Sequence, residues 1–456
     1  MKKAFCCLAI LILTALFLTV VLSACDSFSG ESFVLPNGQQ YMANGYLCEQ
    51  DGEFEITTDF EMRFDKKVFK DKFNRIVINY SSDKPLHIFV KYRHGLISKT
   101  DEFYLEAGDN VSFGGLIAKY TKGKKANTLY GIVIGSCDGS TAKIRINAVS
   151  TETAQKISDS VSYLENERYK VGINLKWGGG ISYIEDKAER QSGLGNLINS
   201  HDTGRLIQQS YYGTPGNDEY APGESFNQKW PYNPVQGGDQ FGNASRLIDF
   251  KIEEGKIYIK SQPQDWSKDN ELTPSYMENT YYVCADYIKV DNRFVDFSGW
   301  EHLMRGQELP AFYTVSYLDK FVFYNGNESW TDGELTEKSD LPFWGPYIDQ
   351  CTFAFDNLNT ERWCAWISDE INYGIGIYVP NVEQVCAGRY EYDGSKDSRA
   401  NSTNYVSPGS KLKIISFVPI EYSYMITCGS VGEIRSTFKA NKDFATNASF
   451  DEFAQE

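Results

Sequence analysis

Histidine is scarce in this chain, with four in 456 residues, and positive charge is outnumbered, 45 lysines and arginines against 61 acids. A formal charge of −16 argues against a surface made for nucleic acid or for anionic lipid. The cysteines show neither CxxC nor zinc-ligand spacing. No GxSxG elbow and no P-loop is present, and Gly178, Gly179 and Gly180 form a bare triple glycine without the helix a phosphate cradle needs. Asp265, Asp269, Asp286, Asp291 and Asp296 could supply oxygen ligands to calcium, but their spacing fits no EF-hand loop, so no cofactor is expected. No repeat of fixed period is visible, which disfavours a propeller or a β-helix. Beyond residue 21 no run is apolar enough to span a membrane.

The apolar run that does exist comes first. Lys2 and Lys3 precede residues 4–21, and Leu22, Ser23, Ala24 and Cys25 follow in the order of a lipobox. Residues 1–24 thus resemble a bacterial lipoprotein signal, which implies export and lipidation of Cys25 on the outer face of a bacterial membrane. The alternative is an uncleaved membrane anchor. Removing the signal takes two lysines and no acid, so the mature chain would be more acidic still. Of the cysteines that remain, Cys48 with Cys137, and pairs among Cys284, Cys351, Cys364, Cys386 and Cys428, are disulfide candidates; the other reading is buried small residues.

After a polar tether at residues 25–32, residues 33–150 show short alternating apolar runs separated by Gly, Asp, Asn and Ser clusters, the pattern of an antiparallel sandwich. The wording FNRIVINYSS, HIFVKYRHG and DEFYLEAGDNVSF resembles the jelly-roll modules that accompany sugar-active enzymes. Residues 151–166 read as a partly helical linker. Residues 167–440 are again all β, with a legible hairpin at 247–252 and 257–260. So many strands are most simply buried as two large packed sheets. Residues 441–456 read as a tail. The fold expected is therefore all-β, a jelly-roll-like N-terminal β-sandwich followed by a two-sheet supersandwich.

Residues 196–245 are not written like core strands. NLINSHDTGRLIQQSYYG and WPYNPVQGGDQFGNAS concentrate His201, Asp202, Arg205, Gln208, Gln209, Asn233, Gln236 and Asp239 among Trp, Tyr and Gly. Each buried polar group left unpaired costs roughly 1–3 kcal/mol, so such a run persists only if its members satisfy one another or meet a ligand. The ligand class the mixture suggests is an oligo- or polysaccharide, whose hydroxyls need amides and acids while its C–H faces stack on rings. Residues 205–212 alternate as a strand with Tyr211 on one face and Gln208 on the other. Asp202 and Arg205 can pair across the Thr203-Gly204 turn, as a structural ion pair, a ligand clamp, or both. Aromatic residues make up 14% of the chain, and Trp230 and Trp266, flanked by Asn, Gln, Pro and Asp, are expected at the site. Trp363 and Trp366 read as core.

GGGISYI, NLINSHDTGRLIQQSYY and TERWCAWISDEINYGIGIYVP resemble the galactose-mutarotase-like supersandwich of aldose epimerases, glycoside hydrolases and polysaccharide lyases. The resemblance implies that Arg205 and His201 hold a sugar and that Glu361 is a late glutamate of the epimerase kind. No second histidine falls in a comparable motif, since His302 stands in EHLMRGQELP, which departs from simple epimerase chemistry. Glycosidic cleavage needs two carboxylates, and Asp239, Glu278, Glu308 and Glu361 all stand among glycines or aromatics. Asp239, Glu308 and Glu361 are the expected acid and base, with His201 as another proton carrier and Glu278 beside the substrate. A capture protein without a productive pair, a lyase and an epimerase are the alternatives.

Overall fold

The structure is a computed structural model, and it describes residue 31 onward except 35–39, 45–48, 51–52, 58, 65–69, 118–126, 156–159, 189–192, 216–219, 357–358, 445–449 and 456. The signal, Cys25, most of the tether and Cys48 lie outside the described residues. Glu31 and Ser32 of the expected tether belong to the strand Glu31–Val34.

The chain divides into two compact units. The first comprises the described parts of Met1–Phe73, Val77–Ser112 and Tyr120–Thr151; the second comprises Asn74–Ile76, Phe113–Lys119 and Glu152–Glu456. Within the first, Leu86–His94 pairs antiparallel with both Ile97–Leu105 and Asn127–Ser136. Leu86, Ile88, Val90 and Tyr92 alternate into the core, as a half-buried strand requires.

Two large sheets and the two-stranded hairpin of Gly223–Ser225 and Gln228–Trp230 build the second unit. One large sheet has ten strands and runs in the order Val161–Glu165, Tyr169–Asn174, Ile181–Asp186, Ile207–Ser210, Arg305–Thr314, Thr403–Leu412, Gln384–Tyr390, Thr352–Ala354, with Pro234–Val235 attached to Ile207–Ser210 and Gln264–Asp265 attached to Pro234–Val235. The other has nine, from Arg246–Glu253 through Lys256–Gln262, Ser275–Val283, Ile288–Asp296, Ile420–Gly429, Tyr373–Tyr378 and Trp363–Ser368 to Lys320–Phe323 and Thr336–Lys338. Val171, Ile207, Phe312 and Val406 of the first sheet share one core with Ile259, Phe294, Trp366 and Ile426 of the second. The molecule is all-β with stacked antiparallel sheets. The hairpin read in the sequence forms, with Glu253 opposite Lys256 and Gly255 at positive φ in its turn.

Three local expectations are corrected. Val161–Glu165 is a strand paired with Tyr169–Asn174, not a helical linker, because β-branched and aromatic residues there find an edge to extend. Val431–Ala440 is a helix where only strands were expected. Ser430 and Glu433 close a reciprocal capping box at its start, and Ile434 and Phe438 pack it on the outer face of the nine-stranded sheet beside Trp363 and Met425. The supposed tail contributes Phe450 and Phe453 to the core of the second unit.

Candidate functional site

The polar segment 196–245 proves to be largely self-satisfied. Gln209 accepts from the Tyr211 hydroxyl at 2.9 Å and donates to the Glu278 carbonyl at 2.9 Å, while its backbone N–H donates to Gln236 at 3.0 Å. Gln236 in turn donates to Gly178 and Asn279, and Gln208 bridges the Gly204 carbonyl and the Gly237 N–H at 2.7 Å each. Asn233 donates to the Tyr211 carbonyl at 2.7 Å and accepts from the Trp230 indole at 3.1 Å. Expected as ligand contacts, Gln208, Gln209, Asn233 and Gln236 are instead joints that fasten the strand Ile207–Ser210 to the loop beside it, and all four are buried. The expected two-faced strand at 205–212 is short, with a register shift against Arg305–Thr314, and its four residues are all buried. Tyr211 belongs to the core, stacked on Phe294 at 4.0 Å. Trp266 lies against Gly204, where a Cβ would meet its ring at 2.7 Å.

The four carboxylates part company once their neighbours are known. Asp239, fully buried, accepts from the N–H groups of Phe241, Asn243 and Asn270 and from the Asn243 side chain, all at 2.8–2.9 Å, so it organises a turn. Glu361 is gripped by Arg435 at 2.6 and 2.9 Å, by the Trp363 indole at 2.5 Å and by the Trp330 N–H at 2.7 Å. Glu278 meets Lys260 and Arg293, each at 3.1 Å, and the Tyr258 hydroxyl at 2.7 Å. Burial alone would raise the Glu278 pKa, but the two cations and the tyrosine outweigh it and hold the carboxyl below its usual range. These three acids are structural in geometry, and two of them are neutralised outright.

Glu308 differs. It stands on Arg305–Thr314, opposite Ser210 on one neighbouring strand and Gly409 on the other. Its hydrogen-bond partners are hydroxyls alone: Tyr405, Ser210 and Tyr212. Burial pushes its pKa up, against the pull of those three donors. Burial first, and then the Glu308 charge, keeps the phenols of Tyr212, Tyr313 and Tyr405 well above their ordinary value, so they stay protonated donors. Despite this desolvation Glu308 is only half-buried, because it lies on the outer face of the ten-stranded sheet.

Around it the sheet gathers the rest. Tyr313 feels the charges of Glu308, Asp202 and Arg205 together. The Asp202–Arg205 pair forms, at 3.4 Å, and the guanidinium also donates to Asn401 and lies over the Tyr390 ring at 5.2 Å. His201 is exposed beside them, with Nδ1 2.8 Å from the Arg399 carbonyl. Trp344 stacks on Tyr405 at 4.5 Å, and Trp230 lies 6.5 Å from Tyr212. The structure therefore brings together Glu308, Asp202, Arg205 and Trp230 from the residues expected. Ser210, Tyr212, Tyr313, Tyr390 and Tyr405 join them without having been singled out. Tyr212 stood in the polar segment, and a mixed aromatic and hydroxyl strand such as TNYVSPGS was the one available signal for Tyr405. Among the described residues no group of three or more His, Cys, Asp or Glu side chains is placed to hold a metal ion. Asp265 and Asp296 engage Ser267 and Ser298 hydroxyls instead.

No family model and no curated protein matches the chain. Solved structures similar to it include a galactose mutarotase-like protein from Lactobacillus casei, 10% identical with a TM-score of 0.36 over 59% of this chain and 100% of that one. A galactose mutarotase related enzyme from Lactobacillus acidophilus is 9% identical, TM-score 0.36, over 59% and 97%. An alpha-mannosidase from Enterococcus faecalis is 9% identical, TM-score 0.37, over 89% of this chain and 45% of that enzyme. These neighbours are β-rich mutarotase-like and other carbohydrate-active proteins. At such identities no residue role passes from them to this chain.

Proposed function

We propose that the second unit binds carbohydrate on the outer face of its ten-stranded sheet and cleaves a glycosidic bond there, with Glu308 as the proton donor. The observation that carries this reading is the set of partners around Glu308: among the four expected acids it is the one held by hydroxyls and, among the described residues, by no cation or backbone cage. A carboxyl so placed keeps its proton to higher pH, as a general acid must. Half-buried Tyr313 and Trp344 lie beside it, with Tyr405 packed beneath Trp344. Asp202 is the second carboxylate within electrostatic reach of the same tyrosine, and it would serve as nucleophile or water-activating base. His201 is the alternative proton carrier. The protein would be exported and tethered through lipid on Cys25, a reading that rests on the lysines, apolar run and lipobox of residues 1–25.

One observation favours a second reading. Asp202 is already engaged by Arg205 and by the Gly204 N–H at 2.9 Å, which would leave Glu308 without a free partner and make the site one of capture. Reducing-end release and binding, measured over a glycan panel for the parent, Glu308→Gln and Asp202→Asn, separate the two. Hydrolysis requires release that both variants lose while still binding; binding by the parent without release leaves capture. Detergent-phase partitioning that persists in Cys25→Ala would remove the lipid tether.

A further inference from the structure

The sheet order around Glu308 has a polarity that a site for a single sugar does not need. Tyr212 lies just past the end of the strand on one side of Glu308, and Tyr405 stands on the strand on the other. Each is in contact with further rings. On one side Trp230 follows Tyr212 at 6.5 Å and Phe226 follows Trp230 at 6.3 Å. On the other, Trp344 follows Tyr405 at 4.5 Å and Phe343 follows Trp344 at 4.9 Å.

Phe226 is the telling member. It is 69% exposed, so it fills no core. With Asn227 it makes the two-residue turn between Gly223–Ser225 and Gln228–Trp230, where Ser225 pairs with Gln228. Both turn residues have positive φ, 51° and 61°. That is the backbone of a type I′ turn, whose first position normally takes Asn, Asp or Gly because a bulky side chain is strained there. A phenylalanine at this position costs stability, and its one ring contact is the edge of Trp230 at 6.3 Å. Strain kept at an exposed position is the mark of a functional constraint. The hairpin is also fixed in place: Gln240 donates to the Glu224 carbonyl at 2.7 Å and accepts from the Ser225 hydroxyl at 3.1 Å.

We propose that the hairpin Gly223–Trp230 is a distal sugar-binding arm, and that the site takes an internal stretch of a glycan chain, with sugar units stacked on both sides of Glu308. The inference rests on the carbohydrate reading above and deepens it. A chain laid across the sheet would pass from Phe226 and Trp230 over Tyr212 to the acid and on to Trp344, which covers Tyr405. Exposed Phe226 and half-buried Trp230 and Trp344 would present ring surface to the C–H side of sugar units, while buried Tyr405 backs Trp344, and binding energy accumulates with chain length. A free monosaccharide fills only the centre.

The test is a length series. Malto-, cello-, xylo- and manno-oligosaccharides of one to six units are titrated calorimetrically against the full chain, Phe226→Asn and Trp344→Ala. Asn removes the ring and suits positive φ better, so the turn and the fold are kept. In the series that binds, affinity rises with length; Phe226→Asn costs the longest member about tenfold and leaves the shortest unchanged. Trp344→Ala lowers the affinity from the opposite side. If Phe226→Asn binds the six-unit chain as the parent does while Trp344→Ala binds it less, the distal arm is wrong and the sugar site stands. If no member of any series binds the parent, both fall.

Discussion

The two outer faces of the second unit treat a carboxylate in opposite ways. On the nine-stranded sheet Glu361 is closed under the helix Val431–Ala440 by Arg435, and Glu278 lies between Lys260 and Arg293. On the ten-stranded sheet Glu308 has tyrosine and serine hydroxyls and an aromatic loop around Trp344. The same residue type is spent as structural charge on one face and kept as a titratable group on the other. Burial of a polar group therefore says little about function until the charge of its partner is known.

The comparison breaks most visibly if the pair on the closed face is cut. Arg435→Met leaves the Glu361 charge buried and unpaired, and urea unfolding should show a loss of about 3–5 kcal/mol. A loss below about 1 kcal/mol would place Glu361 with Glu308 rather than against it. Glu308→Gln should do the reverse, costing no stability in urea and lowering glycan cleavage by roughly 10²–10⁴-fold.

The two faces should also titrate in opposite directions. The folded pKa of Glu308 lies above the ordinary 4.5, so the native state keeps a proton the unfolded chain has released. Stability then falls as pH rises from that ordinary value through the folded pKa, and Glu308→Gln should flatten this step. The Glu278 pKa lies below 4.5, so its contribution is present above that value and is lost as pH falls through the folded pKa. Unfolding midpoints from pH 3 to 8 for the parent, Glu308→Gln and Glu278→Gln would resolve both slopes. Tyr405→Phe removes one donor to Glu308 and should move the limb on which activity falls with rising pH upward, with little change in stability. The smallest effect is expected at the helix that closes the first face: Ser430→Ala should cost about 1 kcal/mol of stability and leave catalysis unchanged.

How much of this was legible follows from sequence separation. The hairpin at Arg246–Glu253 and Lys256–Gln262, the Asp202–Arg205 pair and the buried Trp363 and Trp366 rest on neighbours in the chain, and alternation or spacing reveals them. The helix Val431–Ala440 announced itself only through Ser430 and Glu433, since Gly432, Ser436 and Thr437 are weak helix formers and its stability comes from packing on the sheet. The sorting of the acids was out of reach. Arg435 is 74 residues from Glu361, and Tyr405 is 97 from Glu308. Glycines and aromatics surround both glutamates in sequence, and only the register of distant strands decides which meets a cation. The amides of 196–245 illustrate the same point from the other side: they satisfy one another across Gln209, Gln236 and Asn279, so a polar run that reads as an open site is a closed network.

The clamp that Gln240 places on the hairpin has a consequence for the thermodynamics of association. Ordering a free side chain on binding costs about 0.5–1.5 kcal/mol, and a mobile loop costs more. Here Gln240 fixes the hairpin backbone and the Asn233 side-chain amide oxygen fixes the Trp230 indole before any partner arrives. A ligand meeting these rings finds a surface already set, and most of the conformational entropy has been surrendered during folding.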